Sequence, residues 1–144
     1  MTFRVLGLDH ASLTVADRDR SLAFYRDLLG LRVRALATLA ADEVGSLIGS
    51  DLRVADLELP DGHTLELIES DVGEPGEPAP WPGRSHVALA VDDLGAAVAI
   101  LRANRIELSG DPVTLVEDGF WHGASIVYAR DPDGHTVELI EWPG

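Results

Sequence analysis

Pro60-Asp61-Gly62-His63-Thr64-Leu65-Glu66-Leu67-Ile68-Glu69 returns, almost letter for letter, as Pro132-Asp133-Gly134-His135-Thr136-Val137-Glu138-Leu139-Ile140-Glu141. A second matched pair lies upstream of each copy: Leu8-Asp9-His10-Ala11-Ser12-Leu13-Thr14-Val15 and Arg84-Ser85-His86-Val87-Ala88-Leu89-Ala90-Val91. His10 and His86 stand 76 positions apart and Glu66 and Glu138 stand 72 apart, so the two halves superpose with only a few residues of slippage. Self-similarity at this spacing identifies a duplicated module. Two copies are too few for a solenoid, so the expectation is one domain over residues 1–144 made of two like halves. Module 1 spans about 4–70 and module 2 about 84–144, with a site where they meet.

Each half reads as β-α-β-β-β. Residues 5–15 alternate as a strand, with Leu8, His10, Ser12 and Thr14 on one face and Asp9, Ala11, Leu13 and Val15 on the other. Asp17 caps a helix through about Leu29, on which Leu22, Tyr25 and Leu29 form an apolar stripe, and Gly30 stops it. Strands follow at 31–38 and 52–59, with a short helix at 41–48 between them. The Pro60-Asp61-Gly62 turn then leads into a returning strand at 63–69. Residues 71–83, with four prolines and three glycines, read as the linker. The second half repeats the order: strand 84–91, a helix capped by Asp92 or Asp93 and ending near Asn104, weak strands at 105–108 and 113–116, then strands at 124–130 and 135–141.

Composition narrows the function classes. Twenty-five acidic residues against eleven basic ones give a formal charge of −14, and every basic residue is arginine. Nucleic-acid affinity rests on phosphate neutralisation, so DNA and RNA are not expected partners. With no cysteine, disulfides and thiolate chemistry are excluded. No apolar run reaches the ~20 residues that cross a bilayer, and no secretory leader pattern is visible, so a cytoplasmic, non-membrane protein is expected.

The chemistry concentrates in four residues. On each returning strand the glutamate shares a face with a threonine and an isoleucine, against an opposite face of leucine or valine, where an unpaired carboxylate is costly. A divalent cation held by His10, Glu66, His86 and Glu138 would compensate both carboxylates and explain why both residue types recur together. The alternative is that these are polar residues satisfied at strand edges, or relics of duplication. His63 and His135 also recur, but beside Asp-Gly they read as turn residues. His122 has no twin and reads as a surface or lid residue. The 117–123 interval, Glu-Asp-Gly-Phe-Trp-His-Gly, is an aromatic loop of the kind that borders pockets. Trp81, Phe120, Trp121 and Tyr128 are the candidate pocket residues.

At these positions the chain resembles the vicinal oxygen chelate superfamily, which includes glyoxalase I, methylmalonyl-CoA epimerase, extradiol dioxygenases, fosfomycin-resistance enzymes and bleomycin-binding proteins. The resemblance runs through the strand with His10, Leu65-Glu66-Leu67, the strand with His86, Asp131-Pro132-Asp133-Gly134 and Val137-Glu138-Leu139. It implies an α+β fold of two paired βαβββ modules forming an open, cup-shaped mixed sheet with helices outside, often in a homodimer. His10, Glu66, His86 and Glu138 fall on the four metal-ligand positions of glyoxalase I, with Glu66 and Glu138 also the proton-transfer bases. The expectation is therefore a metal-dependent lyase or isomerase acting on a small molecule, with Ni, Co, Mn, Zn or Fe(II) as the ion. An Fe(II) ring-cleaving dioxygenase using His10, His86 and Glu138 is one alternative. A metal-independent antibiotic-binding resistance protein with Trp81, Phe120 and Trp121 stacking on the drug is another.

Overall fold

The computed structural model describes residues 3–39, 52–70 and 85–144. They fall into two compact units, one from each half of the sequence. The helix expected at 41–48 and the linker at 71–83, Trp81 included, lie outside the described residues. No helix among the described residues is long and apolar enough to cross a membrane.

The first unit runs β1 (His10–Val15), α1 (Arg18–Leu22), a π-helical continuation (Ala23–Leu28), β2 (Arg32–Leu39), β3 (Leu52–Glu58) and β4 (Thr64–Glu69). Its strands form one mixed sheet in the order β1-β4-β3-β2, with β1 parallel to β4 and the other neighbours antiparallel. The second unit runs β5 (His86–Ala90), α2 (Leu94–Ala103), β6 (Val113–Thr114), β7 (Ser125–Arg130) and β8 (Thr136–Glu141), with the same order β5-β8-β7-β6. Both halves are the expected βαβββ module.

Alternation decides which face is core. Leu65 and Leu67 in β4, and Val137 and Leu139 in β8, are 1% exposed or less, and they lie on the faces that pack under the helices. Leu13, Val15, Leu22, Phe24, Tyr25 and Leu57 complete the first core, and Leu94, Val98, Leu101 and Val127 the second. The helix after β1 differs from the simple α-helix expected: it widens to π geometry at Ala23, with Leu29 N–H donating to Phe24 O at 3.0 Å. The wider turn accompanies the burial of two successive aromatic rings, Phe24 and Tyr25, which meet edge to face at 4.9 Å.

The repeated Asp-Gly turns close both returning hairpins. Gly62 and Gly134 sit at φ 87° and 85°, the left-handed region that a side chain disfavours. Asp61 Oδ1 accepts from the His63 N–H at 3.0 Å, and Asp131 Oδ1 from the His135 N–H at 2.8 Å. These are the turn duties that the sequence assigned to the two histidines.

The last glutamate of each quoted phrase has a structural role that sequence reading did not assign. Glu69 Oε2 accepts the Arg18 N–H at 2.7 Å, and Glu141 Oε2 accepts the Leu94 N–H at 2.7 Å. Asp17 and Asp93 cap the same two helices through the N–H groups of Arg20 at 2.9 Å and Ala96 at 2.8 Å. Two carboxylates thus satisfy orphan donors at the positive end of each helix and tie it to the last strand of its own unit.

Two expectations are corrected. The first strand begins at His10, so Asp9 precedes the sheet instead of sharing the face of Ala11 and Leu13. Residues 105–108 make only an isolated bridge, Leu108 to Ala129, because Arg105 at φ 59° turns the chain out of α2 and leaves too little length for a strand.

Candidate metal centre

Parallel pairing of β1 with β4 puts His10 opposite Thr64 and Ser12 opposite Glu66, all on the face away from α1. His10 thus stands one row along from Glu66, and its Nε2 lies 3.7 Å from Glu66 Oε1. The second unit repeats the construction: His86 is opposite Thr136, Ala88 is opposite Glu138, and His86 Nε2 lies 2.9 Å from Glu138 Oε2. Each unit therefore brings together one of the two expected His–Glu pairs by the same register.

The two pairs sit in different surroundings. Glu66 has Asp56 directly across the strand boundary from it, and its side chain is 21% exposed. Glu138 has Tyr128 at the equivalent place and is 12% exposed. The Tyr128 ring meets His86 edge to face at 5.9 Å and 87°. Burial, and then the negative charge of Glu138, push the Tyr128 phenol above its ordinary pKa, so the hydroxyl remains a proton donor.

His10 has an orienting partner that sequence reading missed. Its Nδ1 lies 2.7 Å from Asp9 Oδ1, which fixes the ring and leaves Nε2 toward Glu66. That hydrogen bond first, and the Glu66 charge second, raise the His10 pKa above its ordinary value. The adjacency of Asp9 and His10 was legible, but a regular strand through residue 9 would have pointed them to opposite faces.

Imidazole nitrogen and carboxylate oxygen are donors that divalent transition metals take readily. Among the described residues no group of three or more such side chains converges, so each unit by itself supplies two donors. Within each unit the imidazole and carboxylate are donors of the kind a divalent cation accepts.

Of the candidate pocket residues, Tyr128 belongs to the His86–Glu138 face. Phe120 and Trp121 pack with each other at 5.0 Å and with Trp142, each at 5.4 Å, and they are 78% and 53% exposed. Trp142, which sequence reading passed over, completes that cluster. The His122 ring Nδ1 lies 3.1 Å from Val116 O.

Comparison with known proteins shows the family of the chain. The chain is 32% identical over 139 residues to lactoylglutathione lyase of Haemophilus influenzae, covering 92% of this chain and 90% of that protein. It is 31% identical over 151 residues to a 2-epi-5-epi-valiolone epimerase of an Actinomyces species, covering 96% of this chain and 80% of that protein. A glyoxalase family protein from Bacillus cereus superposes with a TM-score of 0.83 at 23% identity, over 99% of this chain and 97% of that one, which shows the shared fold. Since the Glyoxalase/Bleomycin resistance protein/Dioxygenase superfamily model matches residues 7–139, the chain belongs to that superfamily.

Proposed function

We propose that the protein is a divalent-cation-dependent isomerase or lyase of the glyoxalase type. In this reading His10, Glu66, His86 and Glu138 together hold one cation, and Glu66 and Glu138 move a proton at the carbon beside a substrate carbonyl. The observation that carries the proposal is the His–Glu pair built twice on the same register, each on the sheet face away from the helix. Relatives named as a lyase and as an epimerase, at 32% and 31% identity, support an enzyme of this kind.

When bound, a divalent cation makes the C–H next to a coordinated carbonyl easier to deprotonate. The chain's own residues then do the rest. Glu66 makes the looser contact with its histidine, at 3.7 Å, and is the more exposed carboxylate, so it has the freedom to reach a substrate proton. Glu138 is held at 2.9 Å from His86 in the more buried position and serves to anchor, or to return the proton. General acid–base work of this kind contributes ~10²–10⁴-fold. A small-molecule substrate and a homodimeric assembly are part of the same proposal.

The test is solvent proton exchange. In D2O, the hemithioacetal of methylglyoxal and glutathione and, separately, a small hydroxyketone are followed by NMR with cation-loaded protein. The reading expects deuterium at the carbon beside the carbonyl of one of them, abolished by chelation and by Glu66→Gln or Glu138→Gln. Exchange that survives both substitutions, or that survives removal of the cation, would overturn it.

A further inference from the structure

The two site faces are not alike. In the first unit, Asp56 lies opposite Glu66 and Glu58 lies opposite Thr64. At the same places in the second unit stand Tyr128, opposite Glu138, and Arg130, opposite Thr136. A carboxylate pair is thus replaced by a phenol and a guanidinium.

The arginines are also held differently. On the first unit's sheet Arg32 contacts Glu58, and Arg34 lies 3.4 Å from Asp56. Arg26, Arg53 and Arg102 likewise lie against carboxylates. Arg130, half-buried, instead donates Nη1–H to the hydroxyl of Thr136, and it contacts no carboxylate among the described residues. Thr136 is 5% exposed and sits in the same row of the sheet between Arg130 and His86. The guanidinium therefore reaches from β7 to β8, and most of its five N–H donors have no acceptor among the described residues. In so acidic a chain an unneutralised arginine at this place is well suited to an incoming anion.

We propose that Arg130, with Tyr128 on the same face of β7, forms an anion subsite next to His86 and Glu138 and takes a carboxylate or phosphate carried by the substrate. The inference rests on the functional reading above insofar as that reading makes this face the substrate's. It adds a substrate class: small carbonyl compounds bearing an acidic group, held by the second unit while the reacting carbon faces the glutamates.

Inorganic phosphate and succinate, titrated calorimetrically into metal-free protein, test it without recourse to turnover. Wild-type protein should bind at least one of them, Arg130→Gln should weaken that binding about tenfold, and Arg130→Lys should fall between, because lysine keeps the charge and loses the fork. Arg34→Gln should leave binding unchanged. Preference for phosphate or for succinate then names the acidic group. No binding of either probe by wild type, or equal binding by Arg130→Gln with its fold intact by circular dichroism, overturns the subsite. Metal content separates the two proposals: His86→Ala should lose the cation and keep anion binding. A protein that holds no cation but loses anions through Arg130→Gln removes the functional reading alone.

Discussion

Glu138 and Glu141 lie three residues apart on one strand, and three apart means opposite faces. Converting each to glutamine should therefore produce two unrelated defects. Glu141 Oε2 accepts the Leu94 N–H at 2.7 Å, at the start of a ten-residue helix. Glutamine keeps an oxygen there but loses the charge. The change from a charge-assisted bond, about 1.5–3 kcal/mol, to a neutral one, about 0.5–1.5 kcal/mol, costs about 1 kcal/mol. The lost interaction with the helix N-terminus adds about 0.3–1 kcal/mol, for a total of about 1–2 kcal/mol. At this chain length that lowers Tm by roughly 3–8 °C. Glu138 makes no such helix contact; its pair is with the 41% exposed His86, so its loss should cost no more than about 0.2–1 kcal/mol. Calorimetric melting and metal analysis of both metal-free and loaded proteins form the assay. Glu141→Gln should melt lower and bind cation normally, while Glu138→Gln should melt near wild type in the metal-free state and lose the cation. Equal melting temperatures together with equal metal content would refute the division of labour between the two faces.

Three further outcomes follow from the same structure. Asp9→Asn removes the main cause of the raised His10 pKa, so the His10 titration midpoint, followed by NMR, should fall toward the ordinary value; an unchanged midpoint would remove Asp9 as its orienting partner. Because only neutral imidazole takes a cation, wild-type protein should release the cation on acidification, followed as metal content against pH, and a content that stays constant down to about pH 4 would remove the histidines as ligands. Leu139→Ala, at a position 1% exposed, should cost about 2–5 kcal/mol in urea unfolding, and a cost below 1 kcal/mol would show that this face of β8 is not core.

Much of this organisation was legible because duplication made each half a control on the other. Alternation on the strands separated Glu66 from Leu65 and Leu67, and Glu138 from Val137 and Leu139, without coordinates. The Asp-Gly turns announced themselves through residues that only a left-handed turn requires. What escaped was the consequence of register. That Asp56 lies opposite Glu66 and Tyr128 opposite Glu138 depends on which residues of β3 and β7 align across a hairpin, and no residue type encodes that offset by itself. The π-helical widening at Ala23 escaped for a similar reason, since the apolar stripe of Leu22, Tyr25 and Leu29 also suits an ordinary helix. Glu69 and Glu141 were given no role, since each meets a helix N-terminus that precedes it by tens of residues in the sequence.

The central claim is the proposal that His10, Glu66, His86 and Glu138 are the ligands of a divalent cation, and elemental analysis of the purified protein tests it most directly. The account predicts one ion per chain in wild-type protein, and its loss in both His10→Ala and His86→Ala, because neither unit's pair suffices alone. Stoichiometric metal retained in both variants, or a wild-type protein that takes up none when supplied with Ni, Co, Mn, Zn or Fe(II), would contradict it.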